Sequence, residues 1–143
     1  MIALDTTVLV YAVGAEHPLR EPARTLVGAI GEGVIAATTS VEAIQEFVHV
    51  RARRRDRGDA AALGRAYVAL LSPLLELGED DLRAGLRLFE RNDRLGAFDA
   101  VLAAACLQRE VTALVSADRS FAGVRSLPFV DLATPDLVGR LAR

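Results

Sequence analysis

Five carboxylates carry most of the chemical content of this sequence. Asp5 follows the apolar run Ile2-Ala3-Leu4, and Asp118 comes two residues after Ala113-Leu114-Val115-Ser116. Asp99 is the one charge inside Ala97-Phe98-Asp99-Ala100-Val101-Leu102-Ala103-Ala104-Ala105. Glu42 and Glu46 are spaced i, i+4 and therefore share a helix face. Each has an ordinary structural use. Asp5 can cap a helix, Asp99 suits a helix N-terminus, Asp118 can open a turn with Arg119 and Ser120, and either glutamate can sit on a solvated face. Their combination asks for more, because an uncompensated carboxylate is costly to bury. Two carboxylates ~4 Å apart repel by about 4 kcal/mol at an effective dielectric of ~20. A cluster of them becomes favourable around a hard divalent cation, and oxygen donors suit Mg²⁺ or Mn²⁺. With Cys106 alone and only His17 and His49 as histidines, zinc is disfavoured. A metal held by carboxylates activates water and stabilises the leaving oxygen in phosphodiester hydrolysis.

Composition narrows the alternatives. The chain has 143 residues, 52% of them hydrophobic and 25% charged, with a formal net charge of −2. That suits one domain with a large apolar core, and no linker-like stretch interrupts it, so residues 1–143 are expected to form a single domain. All seventeen basic residues are arginine. Without lysine, Schiff-base chemistry and Walker-type phosphate binding are excluded. No run reaches the ~18–20 apolar residues of a membrane span, and a soluble, cytoplasmic protein without membrane contact is expected.

The elements that must position the acids alternate between strand-like and helical patterns. Strands are expected at Ile2–Leu4, Val34–Ala37, Leu74–Leu77, Ala113–Ser116 and Phe129–Leu132. Helices are expected from Thr6 to Val13, from near Pro18 to Glu32, from a Thr39 or Ser40 cap to Arg55, and from an Asp59 cap to Pro73. Further helices run from Glu79 to Asn92 and from Gly96 to Glu110, and a short one follows a Thr134 cap. Alternation of this kind predicts an α/β fold with a mainly parallel sheet. In such sheets ligands gather outside the carboxyl ends of the strands, where Asp5 and Asp118 fall.

Taken together, Leu4-Asp5-Thr6-Thr7-Val8-Leu9-Val10-Tyr11-Ala12, Gln45-Glu46-Phe47, Phe98-Asp99-Ala100-Val101-Leu102-Ala103-Ala104 and Ser116-Ala117-Asp118-Arg119-Ser120-Phe121 resemble the PIN-domain ribonucleases. The likeness is to the VapC-type toxins of bacterial toxin-antitoxin pairs, and it covers essentially the whole chain in order and spacing. It implies a three-layer α/β/α fold with a five-stranded parallel sheet and a metal-dependent endoribonuclease acting on transfer or ribosomal RNA. Carried over by position, the acids of the family fall on Asp5, Glu46, Asp99 and Asp118. The resemblance makes Asp5, Asp99 and Asp118 ligands of Mg²⁺ or Mn²⁺, with Thr6, Thr7 and Ser116 as hydroxyls near the metal. Glu46 is preferred to Glu42 because Phe47 follows it, and Glu42 stays as a candidate helper. A VapB-type antitoxin and a toxin homodimer are implied partners.

Arg51, Arg53 and Arg54, in the densest basic run, are candidate phosphate contacts, as is Arg119 beside Asp118. His49 shares the face of Glu46 and could touch substrate. Phe47, Tyr67, Phe89 and Phe98 fall at helical positions and read as core. Two other functions are weighed. An aspartyl phosphoacceptor domain would need the missing lysine, and a non-catalytic binding module would keep the acidic rim for structure alone. Without Asp5, Glu46, Asp99 and Asp118 the chain carries 15 acids against 17 arginines, so its acidity is concentrated where a cation is expected.

Overall fold

The computed structural model describes residues 1–143. Its elements follow the alternation closely. Strand β1 (Ile2–Leu4) leads into α1 (Thr6–Val13) and α2 (Arg20–Gly31), then β2 (Ala37–Thr38), α3 (Val41–Ala52) and α4 (Arg57–Leu71). Helices α5 (Glu79–Arg91) and α6 (Ala97–Gln108) precede β3 (Ala113–Ser116), a 3-10 turn over Arg119–Gly123, β4 (Phe129–Asp131) and α7 (Leu137–Ala142). No helix is long and apolar enough to cross a membrane.

The sheet is parallel throughout, in the order β2-β1-β3-β4. Successive side chains of a strand point to opposite faces. Ile2, Leu4, Ala113 and Val115 accordingly enter one core with Val8, Leu9, Leu26, Phe47 and Leu71, under α1 to α4 and α7. Ala3 and Leu114 enter a second core with Ala100, Ala103, Cys106 and Phe121, under α6. The alanines of α6 allow it to lie close to the sheet, and α5 closes on α6 where Gly85 meets Val101. A Cβ at Gly85 would lie 2.7 Å from the Val101 backbone, so no larger residue fits there without displacing a helix.

Four local expectations are corrected. The sheet has four strands, because Leu74–Leu77 contributes only a bridge between Leu75 and Ser40. The Leu75 N–H donates to the Thr39 carbonyl and its own carbonyl accepts from Val41. The ladder stops there because Pro73 has no N–H to offer and Ser40 already caps α3. Strand β2 starts later than Val34, whose N–H still bonds back to the Ala29 carbonyl after Gly33 leaves α2 at φ 77°. Asp56, not Asp59, caps α4, its carboxylate accepting from the Asp59 N–H at 2.7 Å. Thr134 spends its N–H on the Asp131 carbonyl, and α7 begins after Asp136.

Strand order places the functional rim. From β1 the chain moves to β2 on one side, then crosses back to β3 on the other side. The carboxyl end of β1 is therefore the point where the winding reverses, and a crevice opens there.

Candidate metal centre

Asp5 leaves β1 at that crevice and is buried. As the cap of α1 it accepts weakly from the Thr7 N–H at 3.4 Å. Its stronger bonds come from two hydroxyls, Thr7 Oγ1 at 2.9 Å and Ser116 Oγ at 2.7 Å. All three donors converge on Oδ2. Oδ1 takes no hydrogen bond from the chain, and Asp5 lines a cavity.

The two hydroxyls also tie the ends of β1 and β3 together. Thr7 Oγ1 accepts from the Ala117 N–H at 3.0 Å, and Ser116 Oγ accepts from the Asp118 N–H at 2.9 Å. A hydroxyl can donate once and accept twice, so each of these is used in both senses. Asp118 in turn opens the 3-10 turn by accepting from the Ser120 N–H at 2.9 Å. Its ordinary turn-forming use and its place beside the acids are therefore compatible.

Glu46 comes from α3, where the Ser40 hydroxyl caps the helix. The Thr6 hydroxyl shares its proton between Glu46 Oε2 at 3.1 Å and the Ala43 carbonyl at 3.3 Å. Asp99 sits in the first turn of α6. Its carboxyl is pushed up to about 7 by burial, then by the negative charges of Asp5, Asp118 and Glu46, and by a hydrogen bond shared with Asp118. The carboxyl of Asp99 thus feels all three of the other acids. None of the four is paired with an arginine.

These residues suit a hard divalent cation. The donors are oxygens, Asp5 offers a free Oδ1, and the raised Asp99 marks negative charge that no group of the chain neutralises. No three of them stand closed into a ready cage. Carboxylates repel, and a cation is the group that would draw them inward. Asp5, Asp99 and Asp118 would hold it.

Beside the acids lies an open cavity of about 880 Å³, lined by Asp5, Glu46, Asp99 and the helices α3, α5 and α6. Glu42 and His49 line it too. Glu42 Oε1 is buried there without a partner, and Glu42 is absent from the charges that raise Asp99. The geometry groups Glu46, rather than Glu42, with the aspartates. Gln45 and Phe98 also line the cavity, and neither stands out in the sequence. Phe98 was expected in the core, and it is 83% exposed. Its first-turn position, ahead of the inward-facing Ala100 and Ala103, was the available signal.

The basic candidates divide. Arg51 is taken up by the fold, its Nε donating to Asp59 at 2.7 Å and its Nη1 to the Val13 carbonyl at 2.9 Å. Arg119 pairs at the surface with Asp131 at 2.9 Å. Arg53 and Arg54 are exposed at the end of α3, and Arg54 lines a separate crevice with Val10, Val13 and Arg55.

Comparison with known proteins agrees with this geometry. The model of the PIN domain matches residues 2–127. The chain is 55% identical to Ribonuclease VapC7 of Mycobacterium tuberculosis over 146 aligned positions, spanning 99% of this chain and 97% of that one. Among solved structures, VapC20 of Mycobacterium tuberculosis, described as a Sarcin-Ricin loop cleaving toxin, superposes with a TM-score of 0.71 at 16% identity over 89% of this chain and 98% of that one. VapBC2 of Rickettsia felis, bound to a DNA fragment from its promoter, gives 0.71 at 15% identity over 92% and 98%. With a family match over most of its length, and with Asp99 feeling the charges of Asp5, Glu46 and Asp118 near the rim where its sheet reverses direction, this chain belongs to the PIN-domain family, among the relatives of the VapC ribonucleases.

Proposed function

We propose that this protein is a metal-dependent endoribonuclease, the toxin of a toxin-antitoxin pair, which hydrolyses phosphodiester bonds of transfer or ribosomal RNA. The observation that carries the reading is that Asp99 feels the charges of Asp5, Glu46 and Asp118 while none of the four is paired with an arginine. A bound Mg²⁺ or Mn²⁺ would supply an activated water and neutralise charge on the leaving oxygen. Asp5, Asp99 and Asp118 would hold the cation. Thr7 and Ser116 orient Asp5 by donating to Oδ2 and leave Oδ1 without a partner in the chain. Glu46, steadied by Thr6, orients the attacking water, and Glu42 adds negative charge to the same wall. Arg53, Arg54 and Arg119 contact RNA phosphates away from the cleaved bond, and His49 touches substrate within the cavity.

A VapB-type antitoxin is the proposed partner. Structures of similar fold include a toxin-antitoxin complex from Klebsiella pneumoniae and VapBC2, which supports it. Leu86 and Phe89, exposed on α5 outside the cavity, support a homodimer or a protein partner at that face. Action on cellular RNA places the protein in the cytoplasm. The test is cleavage of total RNA by purified protein in Mn²⁺ and in EDTA, with calorimetric titration of Mn²⁺. Cleavage that stops in EDTA, and a saturable Mn²⁺ site lost in Asp99→Asn, are expected. Equal cleavage in EDTA overturns the mechanism.

A further inference from the structure

The cavity beside the acids has two unlike walls. One is a stripe of α3, with Glu42, Gln45, Glu46 and His49 at i, i+3, i+4 and i+7, and it is polar apart from Ala43. The α5 and α6 side is largely apolar, formed by Phe98, Val101 and Leu102 at i, i+3 and i+4 on α6 together with Leu82 of α5, with Glu79 at its edge. Asp5 and Asp99 lie in the same cavity. Phe98 is the most exposed of the large apolar side chains, at 83%. Leaving a phenylalanine in water forgoes roughly 1.5–3 kcal/mol of burial, so its packing in the free protein does not account for it.

A flat apolar face opposite polar groups, with a metal site alongside, is the shape of a nucleotide subsite. A base presents two π faces and a polar edge, and single-stranded RNA is held by stacking on aromatic rings while side chains read base edges. The volume of about 880 Å³ lies within the ~300–1,000 Å³ of ligand pockets. Phe98 lines the same cavity as Asp5 and Asp99, so a base stacked on it belongs to a nucleotide close to the phosphate at the acids. We propose that Phe98 is a stacking platform for an unpaired RNA base next to the cleaved bond, with Gln45 and His49 facing the edge of that base. Phe98 is thereby a substrate-positioning residue that helps to choose the cleavage site. This rests on the ribonuclease reading of the acid cluster.

The test uses the full chain in Mn²⁺ and a 5′-labelled single-stranded oligoribonucleotide spanning a cleavage site mapped in total RNA. A second set of substrates carries an abasic nucleotide at each position in turn. Phe98→Ala is expected to raise KM roughly 5- to 100-fold, as loss of one stacked base would, with kcat changed far less. Phe98→Trp rescues binding and Phe98→Leu does not. The Phe98→Ala penalty vanishes on the substrate whose abasic position adjoins the cut, the sign that ring and base interact directly. Because Phe98 is exposed, thermal melting shows the variants folded. An unchanged KM overturns the proposal, as does equal rescue by leucine or a penalty that persists on every abasic substrate. A loss of activity that tracks a change in oligomeric state by light scattering also overturns it, and assigns Phe98 to a protein interface. Failure of the wild type to cut any RNA would instead defeat the ribonuclease reading itself.

Discussion

Asp81 and Asp99 occupy the first turns of adjacent helices, α5 and α6, and meet opposite environments. Asp81 is buried and fully served by the chain. Arg109 reaches both of its oxygens, at 2.7 and 3.1 Å, and the Gly78 N–H donates at 2.8 Å. The Arg109 hydrogen bond holds the Asp81 carboxyl below its usual range despite burial. Asp99 has burial without a cation, and three like charges for neighbours, so its carboxyl rises to about 7. The residue type and the helical position are the same. What differs is whether the fold supplies the positive charge, as Arg109 does for α5, or leaves that to something bound from outside.

Substitutions at the two aspartates should therefore separate function from stability. The largest expected effect is on cleavage. Asp99→Asn or Asp5→Asn should lower kcat by roughly 10³-fold or more in a folded protein, since on the proposed mechanism each removes a metal ligand. Steady-state cleavage rates with matched circular dichroism check this, and near-normal rates would erase the contrast.

Next comes Asp81→Asn, which leaves Arg109 only the Ala105 and Glu76 carbonyls and loosens the start of α5. Breaking a buried pair costs about 3–5 kcal/mol, and the partial exposure of Arg109 lowers this to about 2–4 kcal/mol. Urea unfolding should show that loss while the folded enzyme keeps its cleavage rate. If activity fell and stability did not, Asp81 would belong with the acids of the site.

Ser116→Ala should have a smaller effect, because Ser116 acts through Asp5. Loss of a residue that orients a metal ligand costs ~10–100-fold in affinity or activity. The informative reading is the Mn²⁺ dissociation constant, which should weaken, and an unchanged value would confine Ser116 to joining β1 and β3.

A further expected effect is a dependence on pH in EDTA. The folded Asp99 carboxyl lies at about 7 against an ordinary 3.8, so folded protein holds a proton between those values that unfolded protein has released. The stability from this group is present below about 3.8 and is lost as pH rises to about 7. For Asp81 the sign is reversed: its lowered carboxyl contributes stability above the ordinary value, and that contribution is lost as pH falls through its own depressed value. Melting temperature in EDTA should fall between pH 4 and 7 less steeply in Asp99→Asn than in the wild type, and Mn²⁺ should abolish the difference. The same slope in both proteins would show that Asp99 is not under electrostatic strain.

Much of this molecule can be read locally. Apolar runs of three or four residues ending at Asp5 and Ser116, helical patterns between them, and the Ser40 cap follow from side-chain periodicity and from hydrogen bonds to residues two or three positions away. These features predict a parallel α/β sheet, and its reversal point marks the rim where Asp5 and Asp118 stand. Family motifs add the grouping with Glu46 and Asp99. The limits of the local signal also have physical causes. Leu74–Leu77 has the composition of a strand, but Pro73 and the onset of α3 at its partner leave it one bridge. Arg51 reads as a free cation until α4 brings Asp59 to it and α1 brings the Val13 carbonyl.

Phe98 reads as core because an apolar residue at a helical position usually is; only the packing of α3, α5 and α6 decides that it faces a cavity. The sequence by itself therefore determined the elements, their parallel arrangement and the candidate acids, since those depend on periodicity and on neighbours close along the chain. Tertiary structure alone decided which charges are compensated. Asp81 and Arg109 are 28 positions apart, Thr6 and Glu46 are 40 apart, and Asp5 and Ser116 are 111 apart. An electrostatic field sums over separations in space, which the order of residues does not record.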